Sequence, residues 1–212
     1  VPNNRIFSNL ALTIKIGRYV GIALKNKRLS GFDAMRRNLA MAFSWAAAFA
    51  NRMDIKPDSI WECYPNKCPY CSGKPCCCGS PRAPHRTVFV HDPSSWRPGT
   101  ISELQNMFRE IYPHNEAGAS ADHLFKEIFE LQEAVESFSH TAGREGNRFA
   151  NMVEETVDVF AHLFAVVNCA GFDLEASVTT LFADGCPGGC GTVPCSCGYT
   201  VATAIGTQPS GV

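Results

Sequence analysis

The sequence has no apolar run long enough to cross a lipid bilayer. Its longest apolar run, residues 39–50, covers 12 positions and is interrupted by Ser44, whereas a membrane-spanning helix needs about 20 apolar residues. The first 30 residues also lack the continuous apolar segment of a signal peptide, because Arg5, Lys15 and Arg18 interrupt them. We therefore expect no membrane partner and a cytoplasmic location.

The sequence also lacks the features of disordered, collagen-like or strand-rich proteins. Its 212 residues are 45% hydrophobic and 18% charged, which is enough apolar material to bury a core. Only residues 87–90 are a candidate for a short strand. Elsewhere apolar residues recur at helical spacing and predict helices at 9–27, 32–53, 100–112, 120–139, 147–171 and 174–182. The predicted fold class is an all-α helical bundle.

The chain has almost no net charge, but this value hides an asymmetry. The formal net charge is -1, yet residues 1–100 hold 15 Lys and Arg against 5 Asp and Glu, while residues 101–212 hold 4 against 15. Attraction between the halves is the simpler interpretation. In a second interpretation, the acidic half holds a metal cation and the basic half faces an anion that this metal carries.

The 11 cysteines are concentrated in two clusters with the same spacing. Each cluster reads Cys, two or three residues, Cys, four residues, Cys, one residue, Cys and Gly. The clusters comprise Cys68, Cys71, Cys76 and Cys78, and Cys186, Cys190, Cys195 and Cys197. In a cytosolic chain, four closely spaced thiols favour a tetrahedral structural zinc; disulfides and an iron–sulfur cluster are the alternatives. Cys63, Cys77 and Cys169 are left as spare thiols.

The cysteine pattern belongs to a longer internal repeat. A shift of 117 residues superposes 43–53 on 160–170, and a shift of 112 superposes 12–18 on 124–130, with apolar positions kept together. We therefore predict two tandem repeats, each a helix pair followed by a zinc knuckle. The first repeat is residues 1–80, the linker is 81–99 and the second repeat is 100–212.

Four acidic residues of the second repeat form two pairs. Glu127 and Glu130 are three apart on one predicted helix, as are Glu155 and Asp158 on the next, so each pair projects from one helix face. The short connector makes these helices antiparallel neighbours and brings Glu127 level with Asp158 and Glu130 level with Glu155. Four such carboxylates repel one another unless a hard cation binds among them, which predicts a Mg²⁺ or Mn²⁺ site.

The alternative is a solvated stripe of helix-forming glutamates. The first repeat argues against this alternative, because its matching positions are Lys15, Arg18, Asn38 and Met41, with no acid among them. A site that operates in only one copy explains the exchange.

The segments Glu127-Ile-Phe-Glu130 and Glu155-Thr-Val-Asp158, followed by Asn168-Cys-Ala-Gly, resemble the ExxE and ExxD signature of MazG-like proteins in the all-α NTP pyrophosphohydrolase superfamily. The resemblance covers roughly residues 100–175. It implies Mg²⁺-dependent hydrolysis of nucleoside triphosphates to a monophosphate and pyrophosphate, often in an oligomer. It also implies that the four acidic residues bind the metal and are catalytic, and that Asn168 contacts the ligand. Because Asn51 holds the matching place in the first repeat, a structural role is the alternative for Asn168. The chain differs from the family in Lys126, which stands where many members carry a further Glu.

Several basic residues near the predicted site are candidates for substrate binding. Lys126, Arg144 and Arg148 lie in or beside the connector and are placed to hold the outer phosphates, although loop arginines are often simply solvated. His123 and His162 come level one turn beyond the carboxylates. They either line the base pocket or pack as a helix-interface pair.

Two other functions compete with the hydrolase. One is a nucleotide-binding sensor without turnover. The other is a zinc-knuckle nucleic-acid-binding protein, which is disfavoured because the only aromatic and basic residues near the cysteines are Lys67, Tyr70 and Lys74. We therefore expect a nucleoside triphosphate as the partner.

Overall fold

The computed structural model describes residues 8–28, 31–78, 86, 96–140 and 146–188. Within these ranges the chain forms helices and no strand, which confirms the predicted all-α bundle. The predicted strand at 87–90 lies outside the described residues. The helices are α1 (Asn9–Arg28), α2 (Phe32–Arg52), α3 (Asp58–Cys63), α4 (Ile101–Ile111), α5 (Ala117–His140), α6 (Gly146–Ala170) and α7 (Leu174–Leu181).

Two helix pairs form the bundle. α1 packs along α2 and α5 packs along α6, while α1 also contacts α5 and α2 contacts both α6 and α7. Phe43 of α2 packs against Phe160 of α6, with 5.6 Å between the ring centroids. Because one cluster of buried apolar residues runs through both halves, the pairs share a core. The tandem duplication and the division at 81–99 stay predictions.

Local capping marks three of the helix ends. The side chain of Thr100 accepts a hydrogen bond from the backbone N–H of Glu103 and starts α4, and Asp173 does the same for α7 through Ala176. Gly171, with φ of 74°, follows the last residue of α6. Only α3 was not predicted, because six residues are too few for a periodic pattern.

Among the described residues, no single helix is long and apolar enough to span a membrane. α6 and α7 pass the same length and composition test only as a pair, with a bend of 98° between them.

Candidate functional site

Three of the four predicted carboxylates lie together between α5 and α6. Glu127, Glu130 and Glu155 each offer an oxygen within 4.8 Å of the oxygens of the others. The three-residue spacing on α5 turns the first two toward α6, which supplies the third. The side chain of Glu127 is only 9% exposed, which is unusual for a carboxylate. The placement suits a metal site, and ligation by these residues stays a prediction.

Asp158 lines the same cavity but is bound by other groups. The hydroxyl of Tyr64 donates a hydrogen bond to its Oδ1 atom at 2.8 Å, and the guanidinium of Arg86 forms an ion pair with its Oδ2 atom. Both partners belong to the first 100 residues, so Asp158 faces the N-terminal half of the chain. Three of the four carboxylates that were expected to converge therefore do so. Ligation of a metal by Asp158 stays a prediction.

The grouped carboxylates carry charge that the protein compensates only in part. Burial, followed by the charge of Asp158, raises the pKa of both Glu127 and Glu155 to about 7. Burial is the largest single influence on the pKa of Glu130 and raises it, but hydrogen bonds with Lys126 and Glu127, together with the charge of Lys126, lower that pKa overall. A cation bound among the three would relieve the repulsion.

Three of the predicted substrate-binding residues line the cavity. Lys126 Nζ lies 2.6 Å from each carboxylate oxygen of Glu130 and 3.6 Å from Glu127 Oε1. His162 Nε2 is 3.8 Å from Glu127 Oε1, and its ring stacks on that of His123 with 5.5 Å between centroids. The two histidines are therefore level, as their positions on antiparallel helices predicted.

Two further predicted residues are engaged away from the cavity. Arg148 NH1 donates to the hydroxyl of Ser137 at 2.8 Å and to its carbonyl at 3.1 Å. Asn168 accepts a hydrogen bond from Gln105 Nε2 at 3.0 Å and donates to the Gln105 carbonyl at 3.1 Å. Asn168 thus joins α6 to α4, the structural role that the sequence had left open. Arg144 lies outside the described residues.

The cavity has a volume of about 910 Å³, which is within the range of sites for small molecules and cofactors. The carboxylates form one side. Tyr112, Asn115 and Ser120 line another part, and the exposed carboxylate of Glu154 also lines the cavity. The cavity therefore has room for a nucleotide-sized ligand next to the acidic group.

The sequence did not identify three residues of the N-terminal half that line this cavity, namely Tyr64, Tyr70 and Arg86. The guanidinium carbon of Arg86 is 5.5 Å from the ring centroid of Tyr64 and 6.0 Å from that of Tyr70. Tyr64 and Arg86 are 94 and 72 positions from Asp158, so no local spacing joins them. The only feature of the sequence that pointed to a contact between these residues and Asp158 was the opposite charge of the two halves.

The first cysteine cluster has the geometry of a metal site. Cys68, Cys71, Cys76 and Cys78 offer sulfurs within 4.8 Å of one another, and all four are free thiols. The Sγ–Sγ distances are 3.6 Å between Cys68 and Cys78 and 3.8 Å between Cys71 and Cys76. A tetrahedral zinc places its sulfurs about 3.8 Å apart, whereas a disulfide places them about 2.05 Å apart. The cluster can hold a metal such as zinc.

The loop around these thiols supports metal binding. The backbone N–H groups of Cys77 and Cys78 donate to the sulfurs of Cys71 and Cys76 at 3.4 and 3.5 Å. Burial raises the pKa of Cys71, but hydrogen bonds from the backbone N–H groups of Cys77 and Gly73 and from neighbouring thiols lower it to about 6, which favours the thiolate of this residue. Burial is the main reason why the pKa values of Cys76 and Cys78 are raised instead. A Cβ on Gly73 would lie 2.8 Å from the Pro75 carbonyl oxygen, so the turn requires glycine.

Of the second cluster, Cys186 lies within the described residues, and its Sγ atom accepts a hydrogen bond from the backbone N–H of Gly188 at 3.4 Å, while Cys190, Cys195 and Cys197 lie outside them. The prediction of a second zinc knuckle therefore stays a prediction.

The first cysteine cluster is joined to the end of α4 beside the cavity. The N–H of Cys76 donates to the carbonyl of Ile111 at 2.7 Å, and Lys74 forms an ion pair with Glu110 at 2.5 Å. Tyr70 lies between two of the cysteines and also lines the cavity. A metal bound by the cluster would therefore stabilise one wall of the cavity.

Comparisons of the chain with protein-family models, curated proteins and solved structures gave no match. The resemblance to MazG-like proteins consequently rests on the motif residues, and the function has to be argued from the geometry of the site.

Proposed function

We propose that the chain is a Mg²⁺-dependent nucleoside triphosphate pyrophosphohydrolase that releases a nucleoside or deoxynucleoside monophosphate and pyrophosphate. One observation carries this proposal: Glu127, Glu130 and Glu155 come from two helices, and their oxygens lie within 4.8 Å of one another at the wall of a cavity of about 910 Å³. This arrangement supports cation binding, because a cation lowers the cost of holding these charges together.

The chemistry of the three side chains fits a hard divalent ion. Carboxylate oxygens suit Mg²⁺ and Mn²⁺, and Mg²⁺ in phosphate-processing sites is typically held by few carboxylates, with waters and substrate phosphates as further ligands. When bound, the metal draws charge from the phosphate oxygens and makes a coordinated water more acidic. Three carboxylates are therefore a sufficient contribution from the protein.

The remaining residues of the cavity orient the reactants. Lys126 holds Glu130 through both of its oxygens, so Glu130 is poorly placed to accept a proton. Glu154 lines the cavity and lies outside the group of three, and we assign it the task of orienting the water that attacks the α-phosphorus. The stacked His123 and His162 form the wall beside Glu127 where the nucleoside would lie.

The test is pyrophosphate release by the full chain from a panel of NTPs and dNTPs with Mg²⁺. Glu127→Gln and Glu155→Gln should each lower turnover by at least about 100-fold, because each removes a metal ligand. Glu136→Gln is the matched control, since Glu136 is exposed on α5 and does not line the cavity. It should change turnover by less than about 2-fold.

Circular dichroism of every variant establishes that the helices are retained. If the native chain released pyrophosphate from none of the nucleotides, the proposed pyrophosphohydrolase activity would be contradicted. Mg²⁺-dependent nucleotide binding without release would instead identify a nucleotide-binding sensor.

A further inference from the structure

Arg86 has one buried nitrogen that forms no hydrogen bond with any residue that the structure describes. Its NH2 atom is ion-paired with Asp158, but its NH1 atom is buried and has no hydrogen-bond partner among the described residues. A buried N–H without an acceptor is costly and requires an explanation. Arg86 also lines the cavity. An acceptor atom of a bound ligand would therefore satisfy this N–H group.

The surroundings of Arg86 hold its guanidinium in one place. The rings of Tyr64 and Tyr70 flank it at 5.5 and 6.0 Å, and Tyr64, only 4% exposed, donates to the same carboxylate that binds Arg86. A guanidinium fixed between aromatic rings and a carboxylate has already lost its rotational freedom. It can therefore bind a ligand at a lower entropic cost.

The same contacts occupy Asp158. Its Oδ1 atom accepts from Tyr64 and its Oδ2 atom accepts from Arg86, and Asp158 is not one of the three carboxylates grouped around a common point. The charge of Asp158 is therefore directed to a guanidinium. Beside Glu127, by contrast, Lys126 and His162 lie at the longer distances of 3.6 and 3.8 Å.

We propose that Arg86 binds a phosphate oxygen of the substrate, and that Asp158 is the positioning residue for Arg86 rather than a metal ligand. This inference rests on the proposed function. Phosphate is the matching chemistry, because guanidinium N–H groups form strong charge-assisted bonds with its oxygens. The N-terminal half, which lacks the acidic motif, then contributes a cationic group to the site of the other half.

The experiment separates metal binding from phosphate binding in the full, zinc-loaded chain. Mn²⁺ alone is titrated first, by calorimetry or electron paramagnetic resonance. Inorganic tripolyphosphate is titrated next, with and without Mg²⁺, so that the phosphate chain is tested apart from any nucleoside. An α,β-methylene nucleoside triphosphate in a third titration shows whether the nucleoside adds affinity.

The variants are Arg86→Gln, Arg86→Lys, Asp158→Asn and Glu127→Gln. Arg97→Gln is the matched control, because Arg97 also pairs with an aspartate, Asp58 at 3.1 Å, and stacks on a ring, that of Trp61 at 4.5 Å, but does not line the cavity. It reports the loss of an arginine from the same half of the chain.

We expect Arg86→Gln to weaken tripolyphosphate binding by about 10- to 100-fold and to change Mn²⁺ affinity by less than about 3-fold. Arg86→Lys keeps the charge without the planar fork and should fall between Arg86→Gln and the native chain. Asp158→Asn should weaken tripolyphosphate binding while leaving Mn²⁺ affinity within about 3-fold. Glu127→Gln should abolish Mn²⁺ binding, and Arg97→Gln should leave both affinities unchanged.

Loss of Mn²⁺ binding in Asp158→Asn, to the extent seen in Glu127→Gln, would show that Asp158 is a metal ligand and overturn its positioning role. Native-like tripolyphosphate affinity in both Arg86 variants would overturn the assignment of Arg86. If the native chain bound tripolyphosphate through Arg86 but bound no Mn²⁺, the proposed hydrolase would fail while the phosphate site would stand.

Discussion

The helix pairs α1–α2 and α5–α6 bury apolar residues in the same way but differ in their charged positions. Ile16 of α1 and Ile128 of α5 are 0% and 1% exposed, and each follows a charged residue, Lys15 or Glu127. Burial and the charge of Arg18 lower the pKa of Lys15, whereas burial and the charge of Asp158 raise that of Glu127. At both positions the surroundings disfavour the charged form.

This difference between the helix pairs indicates that apolar positions specify the bundle, whereas a few polar positions specify the site. Lys15 and Glu127, which the predicted repeat would make equivalent, each precede a buried isoleucine. Among the described residues, α5 and α6 supply the grouped acids, while the N-terminal half supplies the complete cysteine cluster together with Tyr64, Tyr70 and Arg86. The two halves thus contribute different parts of one cavity.

The largest effect should come from breaking the cysteine cluster of the N-terminal half. Cys68→Ser removes a buried thiol of the four and should lower the free energy of unfolding by at least about 3 kcal/mol, because metal binding and local folding are coupled. Cys77→Ser is the control, since Cys77 is an exposed cysteine of the same loop outside the four. For both variants, urea unfolding gives the free energy of unfolding, and the zinc content is measured alongside it. Equal stability and zinc content in the two variants would rule out a structural metal there.

A second prediction concerns what the two helix pairs share. Ile16→Ala and Ile128→Ala should each lower the free energy of unfolding by about 2–5 kcal/mol, since each leaves a cavity in the common core. Denaturant titration of the two variants is the measurement. If one variant lost several kcal/mol of unfolding free energy and the other almost none, the two helix pairs would not be equivalent in packing.

The smallest effect is a dependence of stability on pH between pH 5.5 and pH 8, which we expect from the carboxylates of α5 and α6. Because the pKa of Glu127 is about 7 when folded and near 4.5 when unfolded, the folded state holds its proton more tightly. This contribution to stability is complete below the unfolded pKa and is lost as the pH rises through 7. Without divalent metal, Glu127 alone should lower the stability of the native chain by about 2 kcal/mol between pH 5.5 and pH 8, and Glu155, whose pKa is also raised to about 7, should add to this loss.

Glu127→Gln should lose that part of the pH dependence, and Mg²⁺ should reduce it in the native chain, since the ion stabilises the charged form. Thermal unfolding at both pH values, with and without Mg²⁺, measures the effect. An identical pH dependence in the native chain and in Glu127→Gln would show that the carboxylate is not perturbed.

The sequence predicted those features that depend on local spacing. Helical periodicity placed six helices within three residues of their ends, and the three-residue spacing of Glu127 and Glu130 placed both on the face of α5 that meets Glu155. Contacts between distant segments left no such pattern. Neither the hydrogen bond from Tyr64 to Asp158 nor that from Gln105 to Asn168 follows from any spacing, since they join residues 94 and 63 positions apart. For that reason the sequence did not separate Asp158 from the other carboxylates.

The most direct test of the central claim is a crystal structure of the chain with Mn²⁺, in which anomalous scattering locates the ion. We expect an anomalous peak among Glu127, Glu130 and Glu155, with carboxylate oxygens at about 2.1–2.2 Å and with Arg86 still bound to Asp158. A well-ordered cavity without a peak at saturating Mn²⁺, or with its peak held by Asp158 and not by the three glutamates, would contradict the central claim.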